Sequence, residues 1–247
     1  MIKILYTTDN HLGCYDREKG DLVDDAFVTL EEVLQLTQRE KIDMVLQGGD
    51  LFHDTRPSSS TMYKTMRLLS AYVYGAEDVE LQIVSDQRKN FGGHGANYYN
   101  PHVNIRLPVF AIHGNHDEPV GADAFSAIEL LSTNYLLNYF GKFETLERIE
   151  VYPILFGKGA VSVAVYGIGN MKEERLLHLF RKNLIAWHQP LQGGPWFNIL
   201  MLHQNRFSRP HHFHVPPECI PTFFHVVLWG HEHESAPAPQ PLSSVVW

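Results

Sequence analysis

Five clusters of Asp, Asn, His and Glu residues are the features of this sequence best suited to chemistry. Each cluster comes where an apolar segment ends, and they are, in order, Asp9-Asn10-His11, Gly49-Asp50, Gly114-Asn115-His116-Asp117, Leu202-His203-Gln204-Asn205 and Gly230-His231-Glu232-His233. Carboxylate, amide and imidazole groups without thiolates suit divalent ions such as Mn²⁺, Fe²⁺ or Zn²⁺. The adjacent glycines let the backbone turn sharply and approach an ion closely. The pattern therefore predicts a metal centre.

The number of candidate ligands indicates more than one ion. The candidates are Asp9, His11, Asp50, Asn115, His203, His231 and His233. Seven side chains are too many for one ion and suit two ions that share a carboxylate. Two ions about 3.5–4 Å apart can activate a water and stabilise the oxygens of an in-line displacement at phosphorus. Any one cluster alone is more often a turn or a capping site, so the prediction of a phosphoesterase depends on all five together.

The elements that must position these clusters alternate between strands and helices. The predicted strands cover residues 2–7, 44–46, 107–112, 149–156, 161–167, 197–202 and 225–229. The predicted helices cover residues 22–40, 59–73 and 171–183, with another that begins near Gly121 and continues through Leu131. This alternation predicts an α/β protein. Ligand sites gather at the carboxyl ends of strands in such sheets, so distant clusters can converge.

The bulk composition predicts one soluble globular domain over residues 1–247, since 44% of the side chains are hydrophobic and 19% are charged. Residues 86–104 are predicted to be an inserted surface loop, because they are long and rich in glycine and asparagine. An apolar run of about 18 residues and a secretory leader are both missing, so we expect an intracellular protein without membrane contact. Cys14 and Cys219 are expected to be reduced thiols.

The formal net charge of -8 argues against a polyanionic partner, because nucleic-acid binding draws on lysine and arginine. The objection weakens if many of the acids and the 15 histidines surround divalent cations, which invert the local electrostatics.

The five clusters, in this order, resemble the signature of the calcineurin-like metallophosphoesterases, whose fold is a two-sheet β-sandwich flanked by helices. Within that family four segments are most similar to the Mre-eleven (meiotic recombination eleven) nucleases of DNA double-strand-break repair: residues 8–13, 48–53, 112–117 and 203–206. The loop that begins Ser85-Asp86-Gln87, together with Gly121-Ala122-Asp123-Ala124, is similar to eukaryotic members. The resemblance implies a nuclear, manganese-dependent 3'-5' exonuclease and single-strand endonuclease.

The resemblance also implies a role for each site residue. One manganese ion would be held by Asp9, His11, Asp50 and His233, and the other by Asp50, Asn115, His203 and His231. His116 would contact the scissile phosphate and assist the leaving oxygen, with His53 beside it to position the phosphate. Asp117 and Glu232 would orient neighbouring imidazoles. The implied partners are DNA, a second copy of the chain, a Rad-fifty type ATPase and a nibrin-like subunit.

The sequence departs from the Mre-eleven pattern after Ser243-Ser244-Val245-Val246, where such nucleases continue into a capping domain and an ATPase-binding segment. We therefore expect a catalytic-domain fragment, and the short stretch between Glu234 and Ser243 leaves one or two sandwich strands in question. Two alternatives follow. The chain is a folded interaction module that does not hold DNA, or it is another metallophosphoesterase such as a protein phosphatase. Phosphatases of this scaffold place Asp-Arg-Gly soon after the bridging aspartate, whereas this chain has Leu51-Phe52-His53-Asp54, which favours the nuclease.

Overall fold

A computed structural model describes residues 1–16, 21–92, 95–120, 125–190, 194–207, 213–233, 241–242 and 245–246. The helices in these residues are α1 (Asp25–Arg39), α2 (Ser59–Val73), α3 (Gln87–Phe91), α4 (Ala127–Thr133) and α5 (Glu173–Arg181). The strands are β1 (Ile4–Thr7), β2 (Met44–Gln47), β3 (Gln82–Ile83), β4 (Val109–Ala111), β5 (Asn138–Tyr139), β6 (Ile149–Val151), β7 (Ile154–Lys158), β8 (Val161–Ile168), β9 (Ile185–Trp187), β10 (Phe197–His203), β11 (Val226–Gly230), β12 (Pro241–Leu242) and β13 (Val245–Val246).

Two sheets form the centre of the molecule. The first has the order β1-β2-β4-β5, and all of its neighbouring strands run parallel. The second has the order β12-β13-β11-β10-β8-β7-β3, and its β8, β10 and β11 are parallel. Strands β6 and β9 pair in a separate small sheet. Within each group of parallel strands the carboxyl ends lie at one edge, where the predicted clusters begin.

Alternate side chains of the central strands pack on opposite faces of the sheets. In β2, Met44 and Leu46 belong to a buried cluster that also contains residues of β7, β8 and β10, whereas Val45 packs with α1 and α2. In β10, Met201 belongs to the cluster between the sheets and Leu202 packs with α5. The molecule therefore has four layers: helices including α1 and α2, the four-stranded sheet, the seven-stranded sheet, and a layer that includes α5. This arrangement confirms the predicted two-sheet β-sandwich flanked by helices.

The helices form where the apolar spacing predicts them, with one correction. Helix α1 buries Phe27, Leu30 and Leu34 on one stripe, as the spacing in the sequence indicates. The helix predicted to begin near Gly121 is α4, which begins only at Ala127. Its start is fixed by a capping box, because the side chain of Ser126 accepts the N–H of Glu129 and the Glu129 carboxylate accepts the N–H of Ser126. Residues 121–124 lie outside the described residues.

The strand predicted over residues 149–156 is wrong as a single element. It divides into β6 and β7, which belong to different sheets, and Pro153 lies between them. Proline has no N–H to donate to a strand ladder, so the chain leaves one sheet before it enters the next. The strands β3, β5 and β9 are too short to have given a periodic pattern in the sequence.

The inserted segment 86–104 is more ordered than a surface loop. It contains α3 and a turn of 3₁₀ helix, and its Ala96 and Asn97 are buried. The side chain of Asn97 donates to the Tyr135 carbonyl at 2.8 Å, and its N–H donates to the Asn138 side chain at 2.6 Å. The prediction of a surface position is therefore wrong for Ala96 and Asn97, whereas α3 has no buried residue, and residues 93–94 lie outside the described residues. None of the helices in the described ranges has the length and apolar character that crossing a bilayer requires.

Candidate metal centre

The structure brings all seven candidate ligands together from five loops at the carboxyl ends of β1, β2, β4, β10 and β11. One group consists of Asp9, His11 and His233, whose ligand atoms lie within 4.8 Å of one another. A second group consists of Asp50, His203 and His231, with the same mutual separation. The side-chain oxygen of Asn115 lies 2.7 Å from Nδ1 of His231, so Asn115 belongs with the second group. The two groups meet at Asp50, whose Oδ2 is 3.8 Å from Nε2 of His11.

The loops after β1 and β2 remain hydrogen-bonded to each other beyond the ends of the strands. The N–H of Asp9 donates to the Gly49 carbonyl at 3.0 Å, and the N–H of His11 donates to the Asp50 carbonyl at 3.0 Å. Leu12 continues the pairing one residue further, with its N–H 2.9 Å from the Leu51 carbonyl. This backbone pairing fixes Asp9 and His11 in register with Asp50.

Several of the candidate ligands have a strained backbone. Residues other than glycine rarely adopt a positive φ, because the Cβ atom then meets its own backbone. In the described residues seven do so, and four of these are Asp9 (54°), His11 (46°), Asp50 (52°) and His231 (91°). Such strain costs about 1–3 kcal/mol per residue and concentrates at functional sites. It turns these side chains toward a common space.

Two of the predicted glycines are required by close packing around the ligands. A Cβ atom on Gly114 would collide with the carboxylate of Asp50, and one on Gly49 would collide with the ring of His203. Gly49 also has a φ of 102°, which favours glycine. Gly114 therefore lets the loop after β4 approach the loop after β2 of the same sheet, whereas Gly49 lets the loop after β2 approach His203 of the other sheet.

Asp117 fixes the backbone of this site rather than the imidazoles predicted for it. Its carboxylate accepts the N–H groups of Asp50 (3.2 Å), Leu51 (2.6 Å), Phe52 (3.3 Å) and Gly114 (2.6 Å). Burial raises the pKa of Asp117 to about 6, and the N–H donors of Gly114 and Phe52 act in the opposite direction by favouring the anion. One side chain therefore ties the loop after β2 to the loop after β4.

Three buried atoms at the centre have no hydrogen-bond partner, namely Nε2 of His11, Oδ2 of Asp50 and Nε2 of His203. Nε2 of His203 and Oδ2 of Asp50 are 3.3 Å apart. A buried polar atom without a partner costs about 1–3 kcal/mol, so three in one place need an explanation. Imidazole nitrogens and a carboxylate oxygen that face one space fit a divalent cation.

The charge states at the centre follow from burial and from the mutual approach of the ligands. Burial lowers the pKa of His11, which favours the neutral ring that binds a cation. Burial alone would raise the pKa of Asp50, but His203 outweighs it and the net direction is downward. Burial alone would lower the pKa of His203, but the Asp50 carboxylate outweighs it and the net direction is upward. Asp50 is thus held as the anion that a shared ligand must be.

His53 and His116 lie side by side next to this centre. Their rings stack with centroids 5.2 Å apart, and the His116 ring is 4.9 Å from the ring of His11. Nδ1 of His116 lies 2.6 Å from the backbone carbonyl of His53, so this nitrogen holds a proton and donates it. The backbone N–H of His116 donates to Oδ1 of Asp50 at 2.8 Å. His116 therefore lies beside the candidate ligands His11 and Asp50.

A buried relay that joins the two sheets was not found from the sequence. The Tyr139 hydroxyl donates to Nδ1 of His113 at 2.8 Å, and Nε2 of His113 donates to the Asn170 carbonyl at 3.0 Å. The Asn170 side chain in turn donates to the His203 carbonyl at 2.9 Å. Burial lowers the pKa of His113 to about 4, so its ring is neutral. The only signal in the sequence was the polar Asn170 at the carboxyl end of β8.

Glu232, which was predicted to orient an imidazole, also accepts hydrogen bonds from the backbone. Its carboxylate accepts the N–H of Arg206 at 2.9 Å and that of Phe207 at 3.1 Å. Glu232 lies between His231 and His233, so it links the loop after β10 to the loop after β11.

Comparisons with known proteins agree with this arrangement. The calcineurin-like phosphoesterase family model matches residues 2–235. The chain is 40% identical to human "Double-strand break repair protein MRE11" over 99% of its own length, and 42% identical to the Caenorhabditis elegans protein "Double-strand break repair protein mre-11", also over 99%. It is 41% identical to the Neurospora crassa protein "Double-strand break repair protein mus-23" over 94% of its length. The chain spans only 36%, 34% and 32% of these three relatives, respectively, or about a third.

Proposed function

Because the chain belongs to the calcineurin-like phosphoesterase family, we propose that it is a metal-dependent nuclease that hydrolyses the phosphodiester backbone of DNA in double-strand-break repair. The observation that supports this most is the convergence of seven oxygen and nitrogen side chains from the two sheets, with Oδ2 of Asp50 in one group 3.8 Å from Nε2 of His11 in the other. Three relatives are named double-strand break repair proteins, which supports DNA as the substrate. Cleavage would be of the 3'-5' exonuclease and single-strand endonuclease type.

Family membership implies divalent metal ions, and we infer two manganese ions per chain. Asp9, His11, Asp50 and His233 would hold one ion, and Asp50, Asn115, His203 and His231 the other. Two groups of ligand atoms that approach each other between His11 and Asp50 support this assignment, and a third group is formed by His11, His53 and His116. The donor set of oxygen and nitrogen without thiolate suits Mn²⁺, as it also suits Fe²⁺ and Zn²⁺. When bound, such a pair supplies Lewis acidity that activates an attacking water and neutralises charge on the phosphate oxygens.

The protein's own residues would then manage the proton and the orientation of the phosphate. His116 keeps its Nδ1 proton on the His53 carbonyl, so Nε2 is the nitrogen that would transfer a proton. In the proposed step His116 donates the proton on its Nε2 to the leaving oxygen as the phosphorus–oxygen bond breaks. The stacked ring of His53 would hold His116 and the phosphate in position.

The proposed partners follow from the resemblance to the Mre-eleven nucleases and, for the homodimer, from exposed apolar side chains. We infer that the chain binds DNA, forms a homodimer, and acts in the nucleus with a Rad-fifty type ATPase and a nibrin-like subunit. Exposed apolar side chains support the homodimer, with Tyr63 on α2 60% exposed and Leu130 on α4 55% exposed. Such surfaces often pair with another copy.

A folded interaction module that does not hold DNA is the second candidate, and the net charge of -8 favours it. DNA affinity measured against salt concentration separates the two. Strong binding with a steep loss on added salt supports the nuclease. Undetectable binding by folded, manganese-loaded protein supports the module.

The proposed activity is tested by cleavage of an end-labelled DNA duplex and a single strand with Mn²⁺, with Mg²⁺ and with a chelator. Asp50→Ala is the inactive comparison, and Asp43→Asn, a carboxylate that pairs with Lys158 away from the centre, is the matched control. Manganese-dependent cutting that is lost only in Asp50→Ala supports the nuclease. Turnover of bis(p-nitrophenyl) phosphate without cutting of either DNA would identify a phosphodiesterase with another substrate. Turnover of a phosphoserine peptide alone would identify a phosphatase.

A further inference from the structure

The loop that leaves β10 carries a cation and an exposed aromatic ring at the rim of the metal centre. The guanidinium of Arg206 lies 4.3 Å from the centre of the Phe207 ring. Phe207 is 38% exposed although it is a large apolar side chain only four residues after the candidate ligand His203. The site described above uses neither residue.

This ring is anchored to the metal centre through the backbone. Glu232, the residue between His231 and His233, accepts the N–H of both Arg206 and Phe207. The residue before them is fixed as well, since the Asn205 side chain donates to Glu173 at 2.8 Å. Phe207 therefore stands at a defined place beside the ligands of β11.

The chemistry of such a pair matches one class of ligand. An exposed aromatic face stacks on nucleobases of any sequence, and a neighbouring guanidinium attracts the phosphates that join them. Peptides and simple phosphate esters offer no base beside the phosphate. A base next to a scissile phosphate would find both groups here.

We propose that Phe207, backed by Arg206, is a shelf on which a base of single-stranded nucleic acid stacks beside the phosphate that the metal centre holds. This inference rests on the proposed nuclease function and names the form of its substrate. Because one base is held by its face, the shelf selects unpaired strands without selecting a sequence.

Phe197 provides a matched control on the same strand. It begins β10 whereas His203 ends it, and it is 44% exposed and stacked on His225 with ring centres 5.1 Å apart. A strand of this length spans about 20 Å, so Phe197 is an exposed, stacked aromatic far from the metal ligands. If the loss of any exposed aromatic ring weakened binding of the oligonucleotide, Phe197→Ala and Phe207→Ala would weaken it equally.

The test is the affinity of a fluorescein-labelled single-stranded oligonucleotide, measured by anisotropy in Mn²⁺ for wild type, Phe207→Ala, Phe207→Trp and Phe197→Ala. A second oligonucleotide, in which abasic sugars replace the nucleotides, shows how much of the binding affinity depends on the bases. We expect Phe207→Ala to weaken binding of the normal strand about tenfold, with Phe207→Trp retaining it and Phe197→Ala unchanged. For the abasic strand, wild type and Phe207→Ala should bind alike.

Cleavage of the same strands is measured in a separate assay, so that failure of the shelf proposal can be distinguished from failure of the nuclease proposal. Equal affinity of wild type and Phe207→Ala for the normal strand, or no measurable binding by wild type, would overturn the shelf. Base-dependent binding that needs Phe207 without any cleavage would keep the shelf and overturn the nuclease.

Discussion

The two halves of the metal centre are built in different ways. The half from the four-stranded sheet holds Asp9, His11 and Asp50 on loops that share backbone hydrogen bonds, together with Asn115 on the loop after β4. The Asp117 carboxylate ties two of those loops together through four N–H groups. These residues form a cradle whose shape depends on backbone contacts within one sheet.

The half from the seven-stranded sheet holds His203, His231 and His233 and reaches the cradle by a few hydrogen bonds across the gap between the sheets. Nδ1 of His203 donates to the Gly48 carbonyl at 2.8 Å, and the N–H of His231 donates to the Asp9 carboxylate at 3.1 Å. The cradle is therefore preorganised, whereas the alignment of the other half depends on a small number of contacts. Bound cations would complete the connection between the sheets.

The largest expected effect is that of Asp50→Ala, because in the proposed assignment Asp50 is the one ligand that both ions share. Turnover of bis(p-nitrophenyl) phosphate should fall by more than about 10³-fold, since even a single electrostatic group in an active site contributes about 10²–10³. Manganese should also cease to raise the melting temperature. If the variant retains two bound ions, Asp50 does not bridge the two halves.

His116→Ala should cut turnover by roughly 10²-fold or more, as expected for loss of a general acid. His116 is held on the cradle by the His53 carbonyl and touches neither His203 nor His231 in the hydrogen bonds of the described residues. Manganese binding, measured by calorimetry, should therefore remain. Loss of the metals in this variant would make His116 a ligand and refute the assigned role.

Asn170→Ala tests the half of the centre that comes from the seven-stranded sheet, because the Asn170 side chain donates a hydrogen bond to the His203 carbonyl. Partners of the ligand side chains themselves typically contribute about 10- to 100-fold in metal affinity, and because Asn170 supports the His203 backbone rather than its ring we expect the low end for one of the two ions. Asn10→Ala is the matched change in the cradle, where the Asn10 side chain donates to Thr7 at 2.9 Å. Calorimetric titration of manganese should show no change for Asn10→Ala. Equal losses in both variants would contradict the difference between the halves.

The smallest expected effect is that of Ser58→Ala at the start of α2. The Ser58 side chain accepts the N–H of Thr61 at 3.0 Å and donates to the Asp16 carboxylate at 2.7 Å. The second bond links the loop after β1, which carries Asp9 and His11, to the start of α2. Loss of an N-cap costs about 1 kcal/mol of stability. Urea denaturation should show this loss, while the manganese affinity is unchanged. A large fall in affinity would show that the cradle depends on α2 as well as on its own backbone.

The sequence predicted the parts of the site that depend on residue type and strand order. The clusters after β1, β2, β4, β10 and β11 stand at strand ends, so parallel strand topology brings together the clusters of each sheet, and the packing of the two sheets brings the two sets together. The sequence also predicted α1 and α2, whose apolar spacing is regular.

The remaining features depend on approaches between distant segments. The four N–H groups around Asp117 and the relay through His113 to Asn170 exist only once the loops meet, and nothing in local sequence specifies them. The start of α4 depends on the capping box at Ser126, and the break between β6 and β7 depends on Pro153. These two features, unlike the others, depend on local signals that the sequence contains and that the prediction did not use.

The most direct test of the centre is a crystal grown with Mn²⁺ and measured at the manganese absorption edge. We expect two anomalous peaks about 3.5–4 Å apart on either side of the Asp50 carboxylate. One peak should lie among Asp9, His11 and His233, and the other among Asn115, His203 and His231. A single peak among His11, His53 and His116, whose nitrogens also lie within 4.8 Å of one another, would contradict a centre shared between the two sheets.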